Sequence, residues 1–339
     1  MRMNGGTGVD VHFYSDGTLI AGTLAEVGHP VAAAVLITGS GKLNRDSDAR
    51  LGRRGPVVLR TGITRQIAEA LTAANVATLR YDKRGVGASG GDYLRAGLTE
   101  NLADARAALR WLAARFPGLP LLTVGLSEGT WHAARLAGDG KPVAGTVLLG
   151  APARTGEQVI TWQIAAIAPA LPAPVRLITR LTRRDFVKTQ HKRLALLKAS
   201  KSDVIRVNGV RVNARWWREF LGYDPEPDYA RITAPVLAIT GGHDMQVPPE
   251  DVQAIGCLVQ GPFEGHVAGD LSHLLRPDPD RKGPFGYRRA LRQPVSAAAL
   301  TLITAWAAHH FDQDTQQPCR DPAPGSRVKR GKTGSGPTS

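Results

Sequence analysis

Two stretches of the chain have residue types and spacing that could perform nucleophilic chemistry. "GLSEG" places Ser127 between Gly125 and Gly129, and "GASGG" places Ser89 between Gly87 and Gly91. Both fit G-x-S-x-G, the pattern of a serine on a sharp strand-to-helix turn, where small residues two positions either side relieve crowding. A chain with this much glycine meets the pattern by accident, so context has to separate the two. The apolar "LLTV" runs into Ser127, and "TWHAARLA" continues from it with helical character, as such a turn demands. Ser89 lies several residues past its strand, inside "DKRGVGASGGDY", and no helix begins directly after it. Ser127 is the candidate nucleophile.

A serine hydroxyl is a weak nucleophile near neutral pH and needs a base, itself oriented by a third group. In folds that present the serine at the top of a parallel sheet, the partners follow in the order Ser, then Asp or Glu, then His. Asp244 stands in the second place, in the loop after the strand-like start of "PVLAITGGHDMQVPPED". Asp251 reads as a first-turn helix acid, and Asp224 and Asp228 lie in the proline-rich approach to the strand. Of the downstream histidines, His309 and His310 fall on a terminal helix and His266 within a strand. His273, in "AGDLSHLLRPD", follows that strand and precedes the helix, so it is the candidate base. The oxyanion of a tetrahedral intermediate needs two donors. The backbone N–H of Glu128, next after the nucleophile, is one. The loop "LITGSGKLNRD" supplies the other, with Ser40 first in line and Gly41 close behind. His243 beside Asp244 has no second ligand motif to make a metal site. This chemistry needs neither metal nor cofactor.

These residues need elements to hold them. "VDVHFY" and "TLIAGTLA" flank "SDG" and predict an N-terminal β-hairpin. "VAAAVLIT" is a continuous apolar run of the kind buried on both faces of a sheet. A helix near 62–74, the strand "VATLRY" and a helix over 99–115 with Thr99 as its cap candidate follow. "LPLLTVGL", the helix "EGTWHAARLAG" and "PVAGTVLLG" continue the alternation, which predicts an α/β fold: a mostly parallel central sheet with helices on both faces. The alternation stops across 151–230, where a proline-broken apolar stretch, a basic segment and "RWWREFLGY" read as an inserted cap or lid. It resumes with "APVLAIT", a strand near 262–268 and a helix over 293–310. The chain thus divides into a first core part (1–150) with the hairpin, oxyanion loop and serine turn; the insertion (151–230); a second core part (231–312) with the acid and histidine loops; and a basic tail (313–339) whose composition predicts disorder.

Composition narrows the function classes. Cys257 and Cys319 form no disulfide framework and no thiolate metal site. The N-terminus has no apolar signal-like segment and "VITWQIAAIAPALPAPVRLIT" is too broken to span a bilayer, so a cytoplasmic soluble protein is expected. The net charge of +14 favours anionic surfaces or acidic ligands. No nucleic-acid motif accompanies it and aromatics are scarce, so nucleic acid is not an expected partner.

Taken together, "ITGSGKLNRD", "LRYDKRGVGASGG", "GLSEG", "GGHDMQVPPED" and "DLSHLLR" resemble, in order and across about residues 10–310, the α/β-hydrolase family in its esterase or serine-aminopeptidase-like branch. The resemblance implies a serine hydrolase acting on a small acyl substrate. It also implies that "YDKRGVGAS" is a structural loop braced by Asp82 and Arg84, which accounts for Ser89. One departure is Leu126, where many relatives carry histidine. Carboxylester cleavage is the favoured activity, with aminopeptidase or thioesterase chemistry as the alternative on the same residues. A lipid hydrolase or binding protein that lays its basic lid on an anionic membrane surface is a further alternative. The oligomeric state is not legible.

Overall fold

The computed structural model describes residues 8–50, 57–139, 143–182 and 185–311; the expected tail lies outside them. A hairpin, β1 (Val9–Ser15) and β2 (Thr18–Ala25), opens the fold. Asp16 and Gly17 between its strands both take positive φ, 45° and 73°, the turn whose twist matches that of paired strands. β3 (Ala32–Ile37) and a short antiparallel pair, β4 (Ala49–Arg50) with β5 (Val57–Leu59), come next. Strand and helix then alternate through α1 (Ile63–Ala73), β6 (Val76–Tyr81), α2 (Leu98–Arg115), β7 (Leu121–Leu126), α3 (Glu128–Gly138) and β8 (Val143–Leu149).

The segment after β8 leaves the sheet. It forms α4 (Gly156–Ile167), α5 (Ala173–Leu181), α6 (Phe186–Ala199), a hairpin of β9 (Val204–Val207) and β10 (Val210–Asn213), α7 (Ala214–Gly222) and α8 (Glu226–Tyr229). The sheet resumes at β11 (Val236–Gly241), followed by α9 (Asp251–Leu258), β12 (Phe263–Ala268), α10 (Tyr287–Ala290) and α11 (Ala297–Phe311). None of the described helices is long and apolar enough to cross a membrane.

The eight-stranded sheet runs in the order β1-β2-β6-β3-β7-β8-β11-β12. β1, β2 and β6 pair antiparallel at one edge, and every pairing from β6 to β12 is parallel. Side chains alternate between faces along a strand, and the central strands are apolar on both. Ala33, Val35 and Ile37 of β3 belong to one buried cluster with residues of α2, α3 and α9, while Ala32, Ala34 and Leu36 belong to a second with residues of α1 and α11. That two-sided burial is why these strands read as unbroken apolar runs.

One local expectation is corrected. The cap of α2 is Gly97 rather than Thr99, and the Glu100 carboxylate reaches back to accept from the Gly97 N–H at 2.7 Å. The Thr99 N–H is satisfied from outside, by Glu219 of α7 at 3.3 Å. Asp251 is indeed a first-turn helix acid, but it also ties the insertion to the core: its carboxylate accepts from the Ala153 N–H at 2.9 Å and from Arg154 Nε at 2.8 Å.

Candidate active site

β7 delivers the chain to Ser127, and α3 begins at the next residue. Ser127 sits at φ 51°, ψ −121°, a strained backbone for a residue with a Cβ, tolerated only where the surroundings fix it. Its N–H donates to Leu149 O at 2.9 Å and its carbonyl accepts from the Thr130 N–H at 2.9 Å. The flanking glycines are sterically required. A Cβ on Gly125 would stand 2.4 Å from Gly129 O, and one on Gly129 would stand 2.3 Å from Ile37 O. The turn therefore locks α3 against β7 and β3 with no room for side chains.

Asp244 and His273 arrive from the loops after β11 and β12. Asp244 is fully buried. One carboxylate oxygen accepts from the backbone N–H groups of Gln246 at 2.6 Å and Val247 at 3.0 Å, and the other from His273 Nδ1 at 2.6 Å. With Nδ1 engaged by the carboxylate, Nε2 is the ring nitrogen left to face other groups. Ser127 and His273 both line a cavity of about 160 Å³. Gly150, at φ 61°, makes space for the imidazole: a Cβ there would lie 2.9 Å from His273 Cε1. Arg276, almost wholly buried, braces the histidine loop by donating to Gln293 O at 2.8 Å, Leu274 O at 3.2 Å and Thr61 O at 2.5 Å.

Ser40, Gly41 and Glu128 line a second cavity of about 710 Å³ that also reaches Ser127. Among the described residues, none of their three backbone N–H groups donates to a protein acceptor. Gly39 lets this loop approach the serine, since a Cβ on it would meet Ser127 Cβ at 3.1 Å.

Ser89 is placed elsewhere in the fold. It is fully buried, donates its hydroxyl to Asp82 O at 2.7 Å and accepts from the Ala21 N–H at 2.9 Å. Asp82 accepts from Arg45 Nη2 and from the Ala88 N–H, both at 2.9 Å, and Arg84 pairs with Asp104 at 2.5 Å. Asp82 and Arg84 thus brace the loop. His266 is paired with Glu264 on β12, and His243 Nδ1 meets Asp278 O at 2.8 Å. No cluster of three metal-ligating side chains occurs among the described residues.

The Glu128 side chain holds a position that the sequence does not announce. Its carboxylate is buried and fully coordinated: Oε1 lies 3.2 Å from Lys83 Nζ, 2.9 Å from Asn101 Nδ2 and 3.2 Å from His132 Nε2, and Oε2 accepts from Trp216 Nε1 at 3.1 Å. Burial alone would push this carboxyl up. The Lys83 ammonium, then His132, outweigh it and hold the group at about 2, below the ordinary 4.5. Trp216 belongs to α7 and stacks on Phe220 at 4.7 Å, and Phe220 packs on Trp131 of α3 at 4.8 Å. The insertion is therefore bonded and stacked onto the helix that follows the serine. The i,i+4 spacing of Glu128 and His132 was the only local signal for this network.

Tyr287 walls the smaller cavity and accepts from Gln246 Nε2. Burial, then the nearby Asp244 charge, push its hydroxyl well above the usual phenol range, so it remains a neutral wall group.

A serine on a tight strand-to-helix turn, with a carboxylate-held histidine from the loops after two later parallel strands, defines the α/β-hydrolase class. The family model "Serine aminopeptidase, S33" matches residues 60–262. The chain belongs to that family of serine hydrolases. Among solved structures it is similar to Est1E from Butyrivibrio proteoclasticus with ferulic acid bound, at TM-score 0.60 and 16% identity over 89% of this chain and 100% of that one. It is also similar to the α/β hydrolase GrgF from Penicillium, at TM-score 0.58 and 16% identity over 90% and 99%. The Pyrococcus furiosus esterase Pf2001 aligns at TM-score 0.52 and 17% identity over 79% and 83%. No curated protein matches the chain by sequence.

Proposed function

We propose that the protein hydrolyses carboxylic esters of small molecules through an acyl-enzyme on Ser127. His273 Nε2 takes the Ser127 proton as Oγ attacks the acyl carbonyl, and Asp244 orients the ring and stabilises the imidazolium. The Glu128 and Ser40 N–H groups, with Gly41 beside them, hold the oxyanion; one such donor is worth about 10²–10³ in turnover. His273 then gives its proton to the departing alcohol oxygen, and a water activated by the same ring releases the acid. Among the described residues Ser127 Oγ and His273 make no direct hydrogen bond; in catalysis this contact forms as the hydroxyl attacks.

The observation that carries this reading is the 2.6 Å Asp244–His273 pair on the wall of the cavity that Ser127 also lines. Fluorophosphonate labelling followed by peptide mass spectrometry tests it. We expect the label on Ser127, its loss in His273→Ala, and turnover of 4-nitrophenyl esters that Ser127→Ala abolishes. Folded protein that takes no label would sink the proposal.

A second reading concerns where the substrate is met. α5 exposes Val175, Leu177 and Leu181 beside Arg176, and α6 turns Lys188, Lys192 and Arg193 to solvent, a combination suited to an anionic membrane surface. Co-sedimentation with phosphatidylserine vesicles at low salt would support it, and its absence there would dismiss it.

A further inference from the structure

The two cavities at Ser127 differ in chemistry, and the difference assigns the two halves of a substrate. This assignment rests on the acyl-transfer reading above. The leaving oxygen must lie where His273 can protonate it, and His273 lines only the smaller cavity. That cavity, about 160 Å³ and walled by Ile63, Leu126, Leu149 and Leu274, suits a small alcohol. The acyl part then occupies the larger cavity, about 710 Å³, between the aromatic face of the insertion and Tyr93.

Charge in the larger cavity is one-sided. Its lining includes two cations, Lys42 and Arg211, and a single carboxylate, Glu128. The Glu128 carboxylate is buried and already bonded to Lys83, Asn101, His132 and Trp216, so the cavity offers a substrate ammonium no free carboxylate. Neither Lys42 nor Arg211 makes an ion pair among the described residues. Lys42 Nζ instead stands 5.2 Å from the centroid of the Tyr93 ring, a contact with an uncharged aromatic face rather than with an anion. Arg211 comes from β10 of the inserted hairpin, so the two charges reach the cavity from the core and from the insertion. An amine-bearing acyl group would meet two like charges and no usable counter-charge.

We infer that the preferred substrates are small-alcohol esters whose acyl part ends in a carboxylate, held by Lys42 and Arg211, and that free-amino substrates are disfavoured. For a monomethyl dicarboxylate, the Ser127 Oγ–acyl bond forms as the ester C–O bond breaks, and methanol leaves with the proton from His273. Water then cleaves the acyl-serine bond, releasing the dicarboxylate and restoring the serine proton through His273.

The test uses the full chain and three methyl esters of similar length: monomethyl adipate, methyl hexanoate and methyl 6-aminohexanoate, followed by pH-stat. A partly screened cation a few ångströms from an opposite charge changes kcat/KM by about three- to tenfold. We therefore expect adipate over hexanoate by about tenfold or more, and the amine slowest. In Lys42→Gln/Arg211→Gln the adipate-to-hexanoate ratio should collapse towards one, and in Lys42→Glu/Arg211→Glu the amine should overtake the acid. Because each ratio is taken within one variant, partial misfolding does not alter it. A wild-type ratio near one, or a ratio that survives the double substitution, overturns the inference while leaving the esterase reading intact. If no ester is cleaved and fluorophosphonate does not label Ser127, the acyl-transfer reading fails. Calorimetric titration with adipate then decides the anion site alone: binding weakened by salt and lost in the double variant supports it, and no binding refutes it.

Discussion

Replacing Glu128 by glutamine changes one charge in a fully coordinated network and almost nothing in shape. The side chain of glutamine is close to that of a protonated glutamate, so the substitution mimics taking the carboxyl from charged to neutral in place. A carboxyl held at about 2 in the fold, against an ordinary 4.5, contributes about 3 kcal/mol at neutral pH. The stranded Lys83, only 5% exposed, points the same way, since breaking a buried pair from one side costs about 3–5 kcal/mol. For a chain of 339 residues the unfolding entropy is about 0.7 kcal/mol/K, so the loss corresponds to about 4 °C in Tm. The folded-state value is depressed, so this stability is fully present above the unfolded value of about 4.5 and is lost as pH falls through about 2. Differential scanning calorimetry of wild type and Glu128→Gln at pH 7 and pH 3 reads both effects. The Tm gap should be about 4 °C at pH 7 and less than half of that at pH 3. Adding Lys83→Met to Glu128→Gln should recover part of the loss by removing the stranded cation. A gap under 1 °C at pH 7, or one that does not shrink in acid, would refute the charge argument.

Other sites yield sharper losses. Gly129→Ala puts a Cβ 2.3 Å from Ile37 O and should cost more than about 3 kcal/mol, read as a lowered thermal transition or insoluble expression. Gly150→Ala combines a positive φ of 61° with a Cβ 2.9 Å from His273 Cε1. It should lower kcat about 10²-fold by displacing the imidazole, with circular dichroism close to wild type. Asp244→Asn should keep the fold and reduce kcat on an activated ester by about 10⁴, because the histidine loses the partner that fixes its tautomer; a loss below tenfold would remove Asp244 from the assigned role.

The convergence of Ser127, Asp244 and His273 in the fold was legible because the signals are local: a serine between glycines where an apolar strand meets a helix, an acid in a post-strand loop, and a histidine in the next such loop. Chain order then linked three positions that no spacing rule connects. The sheet was legible for the same reason, since two-sided burial writes itself as continuous apolar runs. The Glu128 network was not, because its partners Lys83, Asn101, His132 and Trp216 come from four separate places in the chain. The insertion was recognisable as a break in alternation but not as a structure. Its Asn208-Gly209 turn, both at positive φ between short strands, carries a hairpin signal that the surrounding basic composition obscures. Lys42 and Arg211 share a cavity only because that hairpin folds, which is why their juxtaposition is invisible in sequence. Thr99 failed as a cap because Glu100 and a glycine already served the helix end and a later helix supplied the remaining acceptor.

Arg276 has a consequence for the order in which the protein becomes active. Its guanidinium joins the histidine loop to Thr61 O near the start of α1 and to Gln293 O before α11. The same neighbourhood is closed by Val295 N–H on Gln66 and Ser296 N–H on Leu275 O. During synthesis the serine turn, built from β3, β7, β8 and α3, precedes the histidine loop by more than a hundred residues. A nascent chain therefore carries the serine turn long before the histidine loop can be seated. Ending the chain before Gln293 should leave Ser127 unlabelled by fluorophosphonate even where the parallel sheet forms, while the chain of 339 residues takes the label.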